Sequence, residues 1–293
     1  MAHRKEAKQL APHLQVVDVD MGNVLLKVKD NPQGALTAFR EGVRNDPENA
    51  EVYVGLDEAM SVTGVSAGER AAALSQYPSA DAADSKMPAD LVYQLALTRA
   101  EAAQYESGLA LFKDRFFPSE EGGTTSGQVL FEVKLMQVEA WAKAHNCTET
   151  EGFIENKQPA LSIDGRSARE YVKLAEIAKG CKRAKESADF LHKDAAGAGF
   201  ADLVWAIQAE KSLGTYDSAK EDQQLAKSLA EAERSVAAST HSGYWQYTVG
   251  MLQAALNRKE QAKESFEKTL ILADTHMSHH LAREALAELA AGK

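Results

Sequence analysis

Residues 30–39 read DNPQGALTAF, and the same shape returns as AQYESGLALF at 103–112, GTYDSAKEDQ at 214–223 and NRKEQAKESF at 257–266. Each stretch is a short turn, then a small residue, then a larger one four positions later. The pairs are Ala35/Phe39, Gly108/Phe112, Ala219/Gln223 and Ala262/Phe266. On a helix, positions i and i+4 share a face. A small residue there lets a neighbouring helix approach closely, and the larger one fills the groove one turn on. An amphipathic helix precedes each stretch, as in LVYQLALTRAEAA at 91–103 and LVWAIQAEKSL at 203–213. The pattern therefore predicts helices laid down in pairs.

Local signals agree. No proline follows Pro159, and long alternating stretches typical of strands are absent. SAGE at 66–69, TSGQ at 125–128, SARE at 167–170 and NRKE at 257–260 each read as an N-cap residue with an acid or amide three positions on. Pro32 falls at a first helical position, where its missing N–H costs nothing. The expected fold class is all-α.

The repeated units resemble the tetratricopeptide repeat, whose period is about 34 residues. ALTAFREGVRNDPENAEVYVGLDEAM (35–60) is the clearest unit, with Pro47 between its helices and Asn49–Ala50 opening the next one. SGYWQYTVGMLQAALNRKEQAKESFEKTL (242–270) is another, with Gly250 at the small-residue position of its first helix. The resemblance implies a helix-pair solenoid, a right-handed superhelix of about six to seven pairs over residues 1–293. Irregular long connections are expected near 78–90, 117–125 and 146–165. A second resemblance is carried by Arg115, Phe116, Phe117, Pro118, Ser119, Glu120, Glu121, Gly122 and Gly123. That run is similar to an Arg-Phe-His-Pro-Trp-Glu-Gly-Gly signature in the repeat arrays of large bacterial proteins of unknown function. Those proteins carry a mutarotase-like β-sandwich before the array. The resemblance covers about residues 32–133. It implies a chain that is either the C-terminal helical portion of a longer protein, with a β-rich domain upstream, or a short relative lacking the sandwich.

Composition narrows the function classes. The 293 residues are 44% hydrophobic and 26% charged, with a formal net charge of −10. That balance lacks the basic footprint of a nucleic-acid binder and disfavours anionic membrane surfaces. No apolar run reaches the roughly 20 residues of a membrane-spanning helix. The N-terminus MAHRKEAKQLAPHLQ has no apolar h-region, so it does not read as a signal peptide. Cys147 and Cys181 make no disulfide framework and are expected as free or buried thiols in a reducing, cytoplasmic setting.

The stretch DRFFPSEEGGTTSGQVLFEV (114–133) resembles a catalytic loop but has a complete structural reading. Phe112, Phe116 and Phe117 end a helix, Pro118 stops it, Gly122 and Gly123 turn the chain, and Thr125 caps the next helix. Adjacent Glu120 and Glu121 are expected in solvent. His276 and His280 have i, i+4 spacing, but no HExxH pattern accompanies them. No metal or other cofactor is expected, and no catalytic residue is assigned. Trp141, Trp205 and Trp245 read as core. The basic clamp by which some tetratricopeptide domains grip chaperone C-termini is missing, because the matching positions hold Val54, Gly55, Glu58, Val204, Tyr247 and Met251.

The expected function is a non-enzymatic interaction scaffold holding a protein or peptide partner on a concave face. By alignment of the repeats that face presents Tyr93, Leu97, Val204, Gln208, Tyr244, Tyr247 and Met251. The alternative is an accessory helical segment of a carbohydrate-binding or carbohydrate-processing protein, as the second resemblance implies.

Overall fold

The computed structural model describes residues 15–82, 85–117, 124–155, 161–163, 166–193, 200–239, 241–274 and 276–292. Among them the chain is all-α, with fifteen helices and one isolated backbone bridge between Ser242 and Ala273. No helix among the described residues is long and apolar enough to cross a membrane. The helices are α1 (Gln15–Lys27), α2 (Pro32–Asn45), α3 (Ala50–Val62), α4 (Ala67–Leu74), α5 (Ala89–Glu101), α6 (Tyr105–Ala110), α7 (Ser126–Lys143) and α8 (Cys147–Ile154). There follow α9 (Ala168–Gly180), α10 (Ala184–Leu191), α11 (Phe200–Leu213), α12 (Ser218–Ala238), α13 (Gly243–Ala255), α14 (Lys259–Thr269) and α15 (Ser278–Ala290). Met1–Val129 and Leu130–Lys293 form two compact units.

One turn recurs between the helices of successive pairs. Past the end of the first helix a residue takes the left-handed conformation, and the next N–H bonds back to a carbonyl five residues earlier. The left-handed residues are Gly64, Ala103, His145, Lys182, Gly214 and Asn257. The matching bonds run from the N–H of Val65, Gln104, Asn146, Arg183, Thr215 and Arg258 to the carbonyls of Met60, Arg99, Trp141, Ala178, Glu210 and Gln253, at 2.8–3.0 Å. Within each unit, first helices of successive pairs also touch one another, α3 on α5 and α9 on α11 among them.

The small-and-large pattern works as packing in the stretches 30–39 and 257–266. Phe39 is fully buried, and a Cβ added at Gly22 of α1 or Gly55 of α3 would overlap its ring. Phe266 of α14 occupies the same niche, since a Cβ at Gly250 would lie 2.5 Å from its ring. Ala35 and Ala262 are fully buried beside them. Gly108 is buried and Phe112 half-buried. The fourth pair departs from the pattern: Ala219 and Gln223 are exposed, and α12 buries Glu221, Leu225 and Leu229 instead.

Most predicted caps form. Ser66 and Ser167 make full capping boxes with Glu69 and Glu170, and Thr125 exchanges hydrogen bonds with Gln128. Pro32 opens α2 behind the N-cap Asn31. Asn257 does not cap α14, because it is the left-handed turn residue and Arg258 holds the cap position.

Three expectations need correction. Cys147 and Cys181 are joined in a disulfide with Cα atoms 5.5 Å apart, stapling the first residue of α8 to the residue after α9. Phe116 is 90% exposed, because α6 ends at Ala110 and Phe116 lies past the turn that follows it, outside any helix. Its neighbours supply the packing instead: Phe112 and Phe117 form an aromatic cluster with Tyr93. The stretch expected as a connection at 146–165 also contains α8. Pro118 to Gly123, including Glu120 and Glu121, lie outside the described residues.

Candidate functional site

Charged side chains buried on folding must find partners. In the first unit, Arg70 of α4 grips Asp57 of α3 through two bonds of 2.8 Å and reaches Glu101 of α5 at 2.9 Å. Arg99 of α5 bonds Asp81, Ser75 and the Ser107 carbonyl, while Arg115 donates to the carbonyls of Ala80 and Ala82. Those arginines tie the 78–88 connection to its helices.

The second unit holds a larger cluster. Arg169 of α9 forks onto Glu132 of α7 at 2.7 and 2.8 Å and onto Glu284 of α15 at 2.6 Å. Lys173, one turn on, bonds Glu284 and Glu288, both at 2.9 Å. His280 of α15 donates to Glu132 at 3.2 Å. Burial works against the charge on both carboxylates, but the neighbouring cations outweigh it. Arg169 and His280 hold Glu132 well below the carboxylate range, and Arg169 with Lys173 brings Glu284 down to about 2. Lys173 is raised for the reciprocal reason, its burial being outweighed by Glu284. These carboxylates stay ionised across the neutral range and are poor proton donors there. The cluster clasps α7, α9 and α15 together.

The three histidines near the C-terminus serve different partners. His276 stacks edge-on against Tyr244, His279 donates to the Leu272 carbonyl at 2.9 Å, and His280 belongs to the cluster just described.

The seven residues expected on a concave face divide. Tyr93, Leu97, Val204, Tyr247 and Met251 are buried, with 3–8% of their surface exposed. Gln208 and Tyr244 are half-buried. Tyr247 packs on Phe266, 5.8 Å between ring centres, and its burial pushes its hydroxyl pKa well up. Tyr244 lies against Trp245 and His276. In the 242–251 stretch the tyrosines are therefore spent mainly between helices.

A different surface of α11 borders open space. Trp205, Ala206, Ala209, Glu210 and Leu213 face a groove of about 460 Å³, whose other walls are Ala168, Tyr171 and Val172 of α9 and Phe190, Leu191, His192 and Lys193 at the end of α10. Val204 and Gln208 lie one position round the helix from this face. Tyr171, Val172, Phe190 and Trp205 are buried and form an aromatic and aliphatic floor, while Ala206 is exposed at the rim. The small side chains of Ala206 and Ala209 are what leave the space open. Gly214 ends α11 in the left-handed conformation and turns Thr215 to the groove mouth, where its N–H bonds the Glu210 carbonyl at 3.0 Å.

The groove contains one unmet polar demand. Glu210 Oε2 is shielded from solvent and accepts no hydrogen bond from any described residue. An acceptor left in this state costs about 1–3 kcal/mol, more when charged. A nearby cation is already held by the walls: the Lys193 ammonium lies 5.5 Å from the Tyr171 ring centre. A second hollow, about 300 Å³ between α12, α13 and α14, is lined by Glu233, Gln246, Gln253 and Gln261. There Ser265 already donates to Gln253 at 2.8 Å, and among the described residues no orphaned atom lines it.

Sequence reasoning missed Glu210, Tyr171 and Phe190. The usable signal was the spacing Trp205/Ala209 and Ala206/Glu210, two i, i+4 pairs in which a small residue again stands opposite a large or charged one. No protein-family model matches the chain, and no curated protein matches it.

Proposed function

We propose that this protein is a non-enzymatic interaction scaffold of the tetratricopeptide type, and that it holds a peptide segment of a partner in the groove between α9, α10 and α11. The observation that carries the reading is that groove: a trough across three helices that combines aromatic and aliphatic side chains with the polar side chains of Glu210, Lys193, His192 and Thr215. Apolar troughs between helices with a few placed polar groups are common peptide sites. The recurring turn at Gly64, Ala103, His145, Lys182, Gly214 and Asn257 supports the repeat assignment, because one supersecondary unit is used again and again. The buried ionic cluster supports the scaffold reading as well. Its carboxylates are consumed in clasping helices and offer no acid–base pair at neutral pH.

Selection from a displayed peptide library, followed by affinity measurement on the Ala206→Trp variant, tests this. Ala206 is exposed at the groove rim, so an indole there obstructs the trough with little effect on folding. Selected sequences should lose at least about tenfold in affinity for the variant while its Tm stays within a few degrees, as expected for a surface change. Equal binding by wild type and variant would contradict the assignment.

A further inference from the structure

We infer that the groove selects a basic residue, lysine or arginine, in an otherwise apolar partner segment, with its cationic head at the Glu210 carboxylate and its aliphatic stem against Leu191, Ala206 and Leu213, the more open parts of the walls. This inference deepens the groove reading above and rests on it. Its starting point is the unmatched acceptor. Glu210 Oε2 is hidden from solvent, lies in the groove wall and receives no hydrogen bond from a described residue. A buried carboxylate oxygen is satisfied best by an N–H of a cation, since charge and hydrogen bond then act together.

The walls suit the rest of such a side chain. Lysine and arginine bury their methylene stems on apolar surface and present only the head as charge. Aromatic faces attract a cation as well, and two of the three rings in this floor already have one nearby. Lys193 lies 5.5 Å from the ring centre of Tyr171, and Lys173 lies 5.9 Å from that of Trp205. The net charge of −10 favours the approach of a basic segment over an acidic one. An acidic side chain would instead set its carboxylate against Glu210. A metal ion is a weaker occupant, because no cluster of three His, Cys, Asp or Glu residues occurs among the described residues.

The test uses acetylated, amidated pentapeptides with leucine and alanine flanks and Lys, Arg, Gln or Glu at the centre. Binding is read by fluorescence polarisation on wild type, Glu210→Gln and Ala206→Trp. On wild type, the Lys and Arg peptides should bind at least about tenfold tighter than the Gln peptide, the usual scale of one charge-assisted bond. In Glu210→Gln that preference should shrink to about twofold or less, while Tm stays within a few degrees of wild type, because Oε2 accepts no hydrogen bond from a described residue that the change could break. A Tm that falls markedly would mark Glu210 as a packing residue and overturn the inference. So would a basic preference that survives in Glu210→Gln, or Gln and Glu peptides that bind wild type as well as Lys peptides do. If in those cases Ala206→Trp still abolishes binding, the groove stands and only its selectivity falls. Binding indifferent to Ala206→Trp, or no binding by any of the peptides, would overturn both.

Discussion

Replacing Gly250 by alanine should destabilise the protein, although glycine is a poor helix residue. Gly250 lies inside α13, where alanine alone would contribute about 1 kcal/mol through helix propensity. The added Cβ, however, would sit 2.5 Å from Phe266 Cε1 and 2.7 Å from Cδ1. Carbon atoms settle at about 3.5–4.0 Å, so the ring or a helix must give by about 1 Å. Phe266 has little freedom to do so: it is 1% exposed and backed by the Tyr247 ring. Overpacking of this kind costs about 1–3 kcal/mol, and more where the neighbour cannot turn aside. The overlap should outweigh propensity and leave a net loss of about 1–2 kcal/mol. Gly152, exposed on α8 with nothing within 4 Å of its added Cβ, is the control. Gly152→Ala should be neutral or stabilising by up to about 1 kcal/mol. Urea unfolding followed by far-ultraviolet circular dichroism measures both, and unchanged m-values would show that the unfolded reference is the same. Adding Phe266→Leu to Gly250→Ala should cost less than the sum of the single changes, since the smaller side chain relieves the overlap. Stabilisation by Gly250→Ala equal to that of Gly152→Ala would refute the wedge between first and second helices.

Lys182 holds a left-handed backbone (φ +61°), so Lys182→Gly should stabilise by about 0.5–1 kcal/mol in the same urea assay, glycine lacking the clash of Cβ with the following carbonyl. The Cys147–Cys181 bond closes a sequence separation of 34, and a reductant should lower stability by about 3–4 kcal/mol on loop entropy. Peptide mapping without reductant should recover the two cysteines as one linked fragment. Glu132 and Glu284 have folded pKa values below their unfolded ones, so they bind protons more readily when unfolded. Their contribution should be complete above about pH 4.3, the ordinary glutamate value, and fade as pH falls towards about 2. Thermal melts of Glu284→Gln should show a flatter decline across that window than wild type.

Helix pairing was legible because its signals are local. Ala35/Phe39 and Ala262/Phe266 are four residues apart, and Ser66/Glu69 and Ser167/Glu170 are three apart, so each can be read from a single turn. Phe116 was misread because three phenylalanines in a row of six residues look alike in sequence, and the actual end of α6 decides which two turn inward. The ionic cluster was not legible at all. Glu132 and Arg169 are 37 residues apart, and Arg169 and Glu284 are 115 apart, so the matching of charges appears only once the helices are stacked. The disulfide has the same character, since its two cysteines meet across α8 and α9. The groove escaped notice because alignment of the repeats placed the binding face on Val204 and Gln208. The open side of α11 is set by the alanines beside them, whose contribution is the volume they leave empty.

The most direct measurement of the central claim is amide hydrogen exchange with and without a saturating Lys-centred pentapeptide. The claim predicts slowed exchange in α9, the end of α10 and α11, within residues 168–215, and no change in residues 243–255 around Tyr244 and Tyr247. Protection confined to 243–255, or bound peptide with no protection in 168–215, would contradict it.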